Sequence, residues 1–343
     1  GLRAKELKEA TVDPAEFGTY VHAVLEQTAR QVMSLGGFHE VSLEDTLKIA
    51  GEFSDEYAKN HFGALTSERM KYLFRRNLNE VEMVVRELWE ELSQSEFAPC
   101  GFEVFFGDHT LDAIDIPNRG IPASLRGYVD RVDAWQSPGK RYYRVVDYKT
   151  GKKDFDYTDI ENGVGLQMLL YLFALEQSGK LLLGENAKPA GVQYFPARAE
   201  FISVKEDGKD TPEAAREKEW KRKGLLLKDE AVLQAMEPCG EKKPKRMDYS
   251  VAKDGSLTGN VADREQLKLL RRHVFRVLGE LVEQIASGCV DPNPYRRGSS
   301  HDACRFCPFG SVCRKDSVTG GRNFERRKAE EFWKELEEEE HHG

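Results

Sequence analysis

The stretch Gly127-Tyr128-Val129-Asp130-Arg131-Val132-Asp133-Ala134-Trp135 is followed, after Ser137-Pro138-Gly139, by Arg141-Tyr142-Tyr143-Arg144-Val145-Val146-Asp147-Tyr148-Lys149, and this pair constrains the fold more than any other segment. Both halves are rich in Val and aromatic residues, and Ser-Pro-Gly is turn chemistry, so the pair reads as a β-hairpin. Side chains alternate across a strand, so Asp147 and Lys149 point to one side. An acid and a base thereby sit at the end of a strand whose preceding Val145 and Val146 belong to a core. With the strands paired, the carboxylate of Asp130 lies near that of Asp147. Two close carboxylates repel unless a cation separates them, and hard oxygen donors favour Mg²⁺ or Mn²⁺ over Zn²⁺. A divalent ion there can polarise a phosphate and activate a water, with Lys149 positioning that water or stabilising developing charge. Those are the requirements of phosphodiester hydrolysis.

The rest of the chain supplies a scaffold for such a hairpin. Helical periodicity is expected over 13–35, with Phe17, Val21, Val24, Leu25 and Val32 on one face, and again over 42–60 and 66–94. Strands are expected at 102–106, 124–135, 141–148, 190–195 and 199–204, and the apolar run Gln167 to Leu175 reads as a helix covering the sheet. The expected fold class is α/β: a mixed central sheet flanked by helices, with helical additions and a C-terminal Cys-rich segment. We divide the chain into an N-terminal helical part (1–100), a catalytic core (101–204), a basic insertion (205–261), a C-terminal helix with the Cys segment (262–324) and an acidic tail (325–343), helical or disordered. The insertion carries Lys221, Arg222, Lys223, Lys242, Lys243, Lys245 and Arg246.

Bulk charge argues weakly against a nucleic-acid partner, because 51 Lys and Arg against 59 Asp and Glu leave −8 over 343 residues. The charge is unevenly spread: residues 1–200 carry −9, residues 201–324 carry +5 and the tail −4. An acidic catalytic half and a basic accessory half average to a misleading sum, and the basic half is the expected source of phosphate contacts. No apolar run is long enough to cross a bilayer, and the first ten residues are too charged for a signal peptide, so a soluble cytoplasmic protein is expected. No Gly-x4-Gly-Lys-Ser/Thr occurs, which excludes ATP binding by a P-loop. Six cysteines are too sparse for a disulfide scaffold. Three of them, Cys304, Cys307 and Cys313, form Cys-x2-Cys-x5-Cys, which lacks a fourth ligand and by spacing suits zinc or iron-sulfur equally.

The hairpin motifs resemble the PD-(D/E)XK nuclease signature in its RecB-like form, a Gly-x-x-Asp (Gly127 to Asp130) followed by Asp-Tyr-Lys-Thr (Asp147 to Thr150). The leading dipeptide is Val129-Asp130 instead of Pro-Asp. Gln167 and Tyr171 match the family's Gln-x-x-x-Tyr, four apart on one helix face, and Gly18-x-x-x-His22 matches its upstream helix. The resemblance implies a restriction-endonuclease-like fold and a Mg²⁺- or Mn²⁺-dependent deoxyribonuclease. Metal would lie on His22, Asp130, Asp147 and the carbonyl of Tyr148, Lys149 would be the catalytic lysine, and Gln167 and Tyr171 would orient that lysine or the DNA backbone. Glu103 is a further candidate acid near the metal.

Within the family, the Cys triple and the long C-terminal half most resemble AddB-type nuclease domains. That implies a four-iron, four-sulfur (4Fe-4S) cluster on Cys304, Cys307 and Cys313 plus a cysteine just ahead of the first helix. No cysteine stands there, so the cluster is expected to be incomplete in this chain, with 296–316 poorly ordered or clamped by other contacts. Cys100, Cys239 and Cys289 read as ordinary core or loop cysteines. The implied partners are DNA, as a single strand from an unwound duplex end, and an AddA-like helicase-nuclease subunit. The implied role is exonucleolytic digestion of the strand ending 5′ at a double-strand break. The alternatives are a stand-alone Cas4-like or phage-type nuclease, a non-catalytic DNA-end-binding module on the same fold, and a structural module whose C-terminus is organised by Zn²⁺.

Overall fold

The computed structural model describes residues 14–62, 68–107, 111–118, 120–198, 211–239, 243–298, 301–305, 307–313 and 321–342. Three helices come first: α1 (Pro14–Ser34), α2 (Leu43–Phe62) and α3 (Glu68–Leu92). In α1 the buried residues Phe17, Val21, Val24, Leu25 and Val32 recur every three or four positions and form one stripe toward the core. On its solvent side Arg30 pairs with Glu26 at 2.8 Å.

A six-stranded sheet follows, with strands β1 (Ala98–Phe106), β2 (Gly127–Ser137), β3 (Lys140–Lys149), β4 (Lys188–Pro196), β5 (Lys223–Leu227) and β6 (Val261–Ala262) lying side by side in chain order. The β1–β2, β2–β3 and β4–β5 pairs are antiparallel, whereas β3–β4 and β5–β6 are parallel. The sheet is therefore mixed and flanked by helices, as expected. A parallel step needs a crossover. Between β3 and β4 that crossover contains α4 (Tyr157–Glu161) and α5 (Gln167–Ser178).

Alternation along β3 explains the two layers around the sheet. Val146 and Tyr148 face the α1 and α3 side, joining Phe17, Val21 and Leu88, while Tyr143 and Val145 join the α5 side. All residues of α5 from Met168 to Leu175 are buried, because the sheet covers one flank and α7 (Arg264–Ala286) packs on another. A capping box between Asp263 and Gln266 sets where α7 starts.

Two features differ from the sequence-based expectation, and a third is sharpened by the structure. The stretch expected as a basic insertion supplies β5, β6 and the helix α6 (Glu230–Met236), and Leu225, Leu226, Leu227, Val232 and Leu233 are buried. The stretch is highly charged, with 13 Lys and Arg against 12 Asp and Glu over 205–261, but three consecutive leucines suffice to extend a sheet once helices cover both faces. The expected strand over 124–135 is divided: Ser124–Leu125 pairs with Ile114–Asp115 in a separate ribbon, and the sheet strand begins at Gly127. The acidic tail, expected as helical or disordered, contains a docked helix, α8 (Ala329–His342), which buries Phe332, Trp333 and Leu336 at helical spacing. Phe332 and Trp333 pack on Tyr157. The strand expected at 199–204 lies outside the described residues. Among the described residues no helix is long and apolar enough to cross a membrane.

Candidate active site

Register places the site. Arg131 pairs with Val146, so Asp130 and Asp147 lie side by side one step further on. Asp147 is the ladder partner of Tyr194, and Tyr194 of Lys223. On the other flank Phe102 pairs with Arg131 and Val104 with Val129, which leaves Glu103 across from Asp130. Residues in register share a face. Glu103, Asp130, Asp147, Tyr194 and Lys223 thus form a row across five strands, acidic at the β1 end and cationic at the β5 end.

Glu103 has φ of 46°, the left-handed region, inside a strand. Such a conformation costs a residue with a Cβ about 1–2 kcal/mol. Here it accompanies a carboxylate that meets His22 and Asp130, the three offering ligand atoms within 4.8 Å of one another. His22 reaches the row from α1, its Nε2 2.8 Å from the carbonyl oxygen of Tyr148 and its Nδ1 3.5 Å from Oδ2 of Asp130. The same Asp130 oxygen accepts the N–H of Tyr148 at 2.7 Å. The peptide of Tyr148 therefore ties helix and hairpin together. Lys149 Nζ lies 2.5 Å from Oδ2 of Asp147.

Burial pushes the Asp147 carboxyl above its ordinary value, and the charge of Asp130 adds to this while Lys149 opposes it. Glu103 is raised for the same first reason, then by Asp130. Three buried or half-buried carboxylates, one imidazole and one carbonyl hold more negative charge than one lysine neutralises. That donor set fits a hard divalent cation.

Gln167 Nε2 donates to the Tyr171 hydroxyl at 3.1 Å, and Tyr171 stacks on Phe106 with ring centroids 5.8 Å apart. An added Cβ on Gly127 would lie 2.5 Å from that hydroxyl, so the glycine opening the motif makes room for the tyrosine. Among the described residues neither side chain hydrogen-bonds to Lys149. They sit instead at the start of β2, three residues before Asp130.

The opposite face of the hairpin carries a buried charged network. Asp133 binds Arg131 at 2.9 Å and Arg144 at 2.8 Å, and Glu91 of α3 binds Arg144 at 2.7 Å and Arg222 at 2.8 Å. All five side chains are buried. Burial alone would raise Glu91, but Arg222, Arg144 and Arg131 overcome it and hold its carboxyl at about 2. Arg131 also donates to the Tyr148 hydroxyl at 3.2 Å, which places the network directly behind the strand that carries Asp147 and Lys149. Arg246, another residue of the basic stretch, binds Glu87 and Glu90 at 3.3 and 2.5 Å. Arg222 and Arg246 are therefore committed inside the protein. The available signal was Arg131, Asp133 and Arg144 at core-facing alternate positions of strands.

Residues 1–314 match the family model of the PD-(D/E)XK nuclease superfamily. The chain belongs to that superfamily. Among curated proteins, this PD-(D/E)XK chain is similar to the AddB-type ATP-dependent helicase/deoxyribonuclease subunit of Clostridium novyi (strain NT), at 33% identity over 99% of the chain and 31% of the relative. The subunits of the same name from Acetivibrio thermocellus and Moorella thermoacetica are 32% and 34% identical, over 99% and 95% of the chain and 30% and 29% of their own lengths. The chain thus spans less than a third of these relatives.

Ahead of the Cys triple, two residues tie the chain to α4 and its cap. Tyr295 donates to Asp159 at 2.5 Å, and Arg297 binds Asp156 at 3.0 Å and Asp159 at 3.2 Å. Cys304 is half-buried, and Cys307 and Cys313 are exposed. Their three sulfurs do not lie within 4.8 Å of one another. Elsewhere, burial pushes the Cys100 thiol up to about 12, Cys239 lies 3.6 Å from the Tyr249 hydroxyl, and Cys289 lies 3.8 Å from Asp291.

Beside Lys149, at the cationic end of the row, opens a cavity of about 300 Å³ lined in part by Lys153, Tyr194, Arg198, Lys221 and Lys223. Sequence reading placed phosphate contacts in the basic half generally. The Lys152-Lys153 pair directly after the motif lay outside that expectation.

Proposed function

We propose that this chain is the nuclease domain of a helicase-nuclease subunit, and that it hydrolyses DNA phosphodiesters with Mg²⁺ or Mn²⁺. It acts as an exonuclease on a single strand released from an unwound duplex end, in cytoplasmic double-strand break repair. The observation that carries this reading is His22, Glu103 and Asp130 with ligand atoms within 4.8 Å of one another, Asp147 in register beside Asp130, and Lys149 paired with Asp147. The names of the AddB-type relatives, and their threefold greater length, support a motor elsewhere in the polypeptide and an AddA-like partner.

His22, Asp130, Asp147 and the carbonyl of Tyr148 would hold the metal, with Glu103 as an added acid. When bound, the metal supplies Lewis-acid polarisation of the phosphate and a lowered pKa for water. Lys149 is one-third exposed on the solvent side of Asp147. From there its ammonium orients the attacking water and balances charge developing on the phosphate oxygens. Asp130 fixes the Tyr148 peptide through its N–H, which keeps the neighbouring carbonyl and the Lys149 backbone in place. Gln167 and Tyr171 hold the start of β2 and thus position Asp130.

The test is digestion of single-stranded DNA, labelled at 5′ or 3′, with Mg²⁺ or Mn²⁺. The expected result is metal-dependent shortening from one end, lost in Lys149→Ala. Full activity in that variant would sink the assignment. Metal-independent binding without cleavage by the unsubstituted chain would favour a DNA-end-binding module.

A further inference from the structure

We infer that the cavity beside Lys149 is a subsite for one nucleotide of the single strand, adjoining the scissile phosphate, with Lys153 as the cation that takes its phosphate. This rests on the nuclease reading above and specifies where the strand leaves the catalytic row.

Charge and position both support the assignment. Seven lysines and arginines line the cavity against two acids, so an anion is the ligand it suits. Most of these cations already have partners. Arg198 lies 3.7 Å from Glu80, Lys223 binds Asp248 at 3.0 Å, and Lys221 donates to the carbonyls of Pro244 and Met247 at 3.1 Å each. Lys153 differs. Its Nζ stands 6.0 Å from the Tyr194 ring centroid, and among the described residues it has no carboxylate partner.

The cavity floor is continuous with the site. Tyr194 is the ladder neighbour of Asp147, and Pro196 that of Lys149. Tyr194 and Pro196 give the cavity an apolar surface for a sugar or base, directly beside the acidic row. About 300 Å³ is the lower end of the range for small-ligand pockets, which suits one nucleotide and not a stacked run. A paired base is held in the duplex stack, so only an unpaired strand can lower a nucleotide into such a space without the cost of unstacking.

The experiment uses the chain with Mg²⁺ and a 5′-labelled thymidine oligomer across a salt series. Lys153→Glu should raise KM about tenfold with kcat within about twofold. The slope of log affinity against log salt should shrink by about 0.7, the value for one lost phosphate contact on a single strand. Lys153→Arg should restore KM. Lys268→Glu, a charge reversal remote from the cavity, should leave KM unchanged, and the melting temperatures of all variants should match. Normal cleavage with an unaltered KM and salt slope in Lys153→Glu overturns the subsite while leaving the nuclease reading intact. If the unsubstituted chain cleaves nothing with Mg²⁺, or with Mn²⁺ in its place, the nuclease reading fails instead. Fluorescence anisotropy of the oligomer in EDTA then decides the subsite: weaker binding by Lys153→Glu supports it, and equal binding overturns it.

Discussion

Asp130 and Asp133 are three residues apart on one strand, and they do opposite work. Asp130 sits in a row of acids, 3.5 Å from His22 and across from a left-handed Glu103, with its negative charge only partly balanced. Asp133 is fully buried between Arg131 and Arg144, with its charge matched inside the protein. An odd separation along a strand sends two side chains to opposite faces. One face of the hairpin therefore carries the candidate site and the other is structure, and similar charged residues serve each. The contrast teaches that an acid next to a motif is assigned by parity and burial, not by proximity in sequence.

Substitutions on the two faces should separate activity from stability. The largest expected effect is on the catalytic face: Lys149→Ala should lower kcat by about 10³-fold, equivalent to about 4 kcal/mol of barrier. Its denaturant midpoint should stay at that of the parent. On the structural face, Glu91→Gln leaves buried guanidinium groups without their carboxylate and should destabilise by about 3–5 kcal/mol in urea unfolding. Activity per folded molecule should be retained. Comparable activity losses from both variants at matched folded fraction would break the distinction.

The same carboxylate gives a pH test. Glu91 is held at about 2 against an ordinary 4.5, so its contribution is present above 4.5 and is lost as pH falls toward 2. That contribution is about 3 kcal/mol. Acid titration of stability should show a loss in this window that Glu91→Gln flattens. A variant with the parent's acid profile would contradict the pairing.

A smaller effect tests how the start of β2 is held. Gly127→Ala forces a Cβ against the Tyr171 hydroxyl and should cost about 1–3 kcal/mol. In a Tyr171→Phe background the closest atom is gone, so a double-mutant cycle should show coupling of about 1 kcal/mol. Additive effects would mean that the tyrosine moves freely.

The smallest effect is on metal-free stability. Asp147 is raised above its ordinary 3.8, so its folded form resists ionisation and stability declines as pH rises beyond that value. At neutral pH in EDTA, Asp147→Asn should be more stable than the parent. Added Mg²⁺ should raise the melting temperature of the parent and not of this variant, as differential scanning fluorimetry would show.

Much of the site was legible because hairpin chemistry is local. Ser137-Pro138-Gly139 sets the register, the register pairs Asp130 with Asp147, and alternation aligns Lys149 with Asp147. The α/β class followed from the change of period after residue 100. Glu103 was legible only as a candidate, because its role depends on a backbone conformation that Glu does not signal. The contributions of β5, β6 and α8 were hidden for another reason. Their apolar residues are few and lie among many charges, and such segments become structural only when other elements cover them. Arg222 and Arg246 read as solvent-facing cations for the same reason.

The sequence by itself determined the hairpin, the spacing of its acids and lysine, the helix that carries His22, and the cysteine triple, since each rests on residues within a few positions of one another. Tertiary structure alone decided which charges are available. It brought His22 across 126 residues to the carbonyl of Tyr148, and it buried Arg222 against Glu91 across 131. It also set a cationic cavity at the end of an acidic row. These depend on which strands become neighbours, and ladder order comes from packing the whole sheet between its helices, which no local pattern encodes.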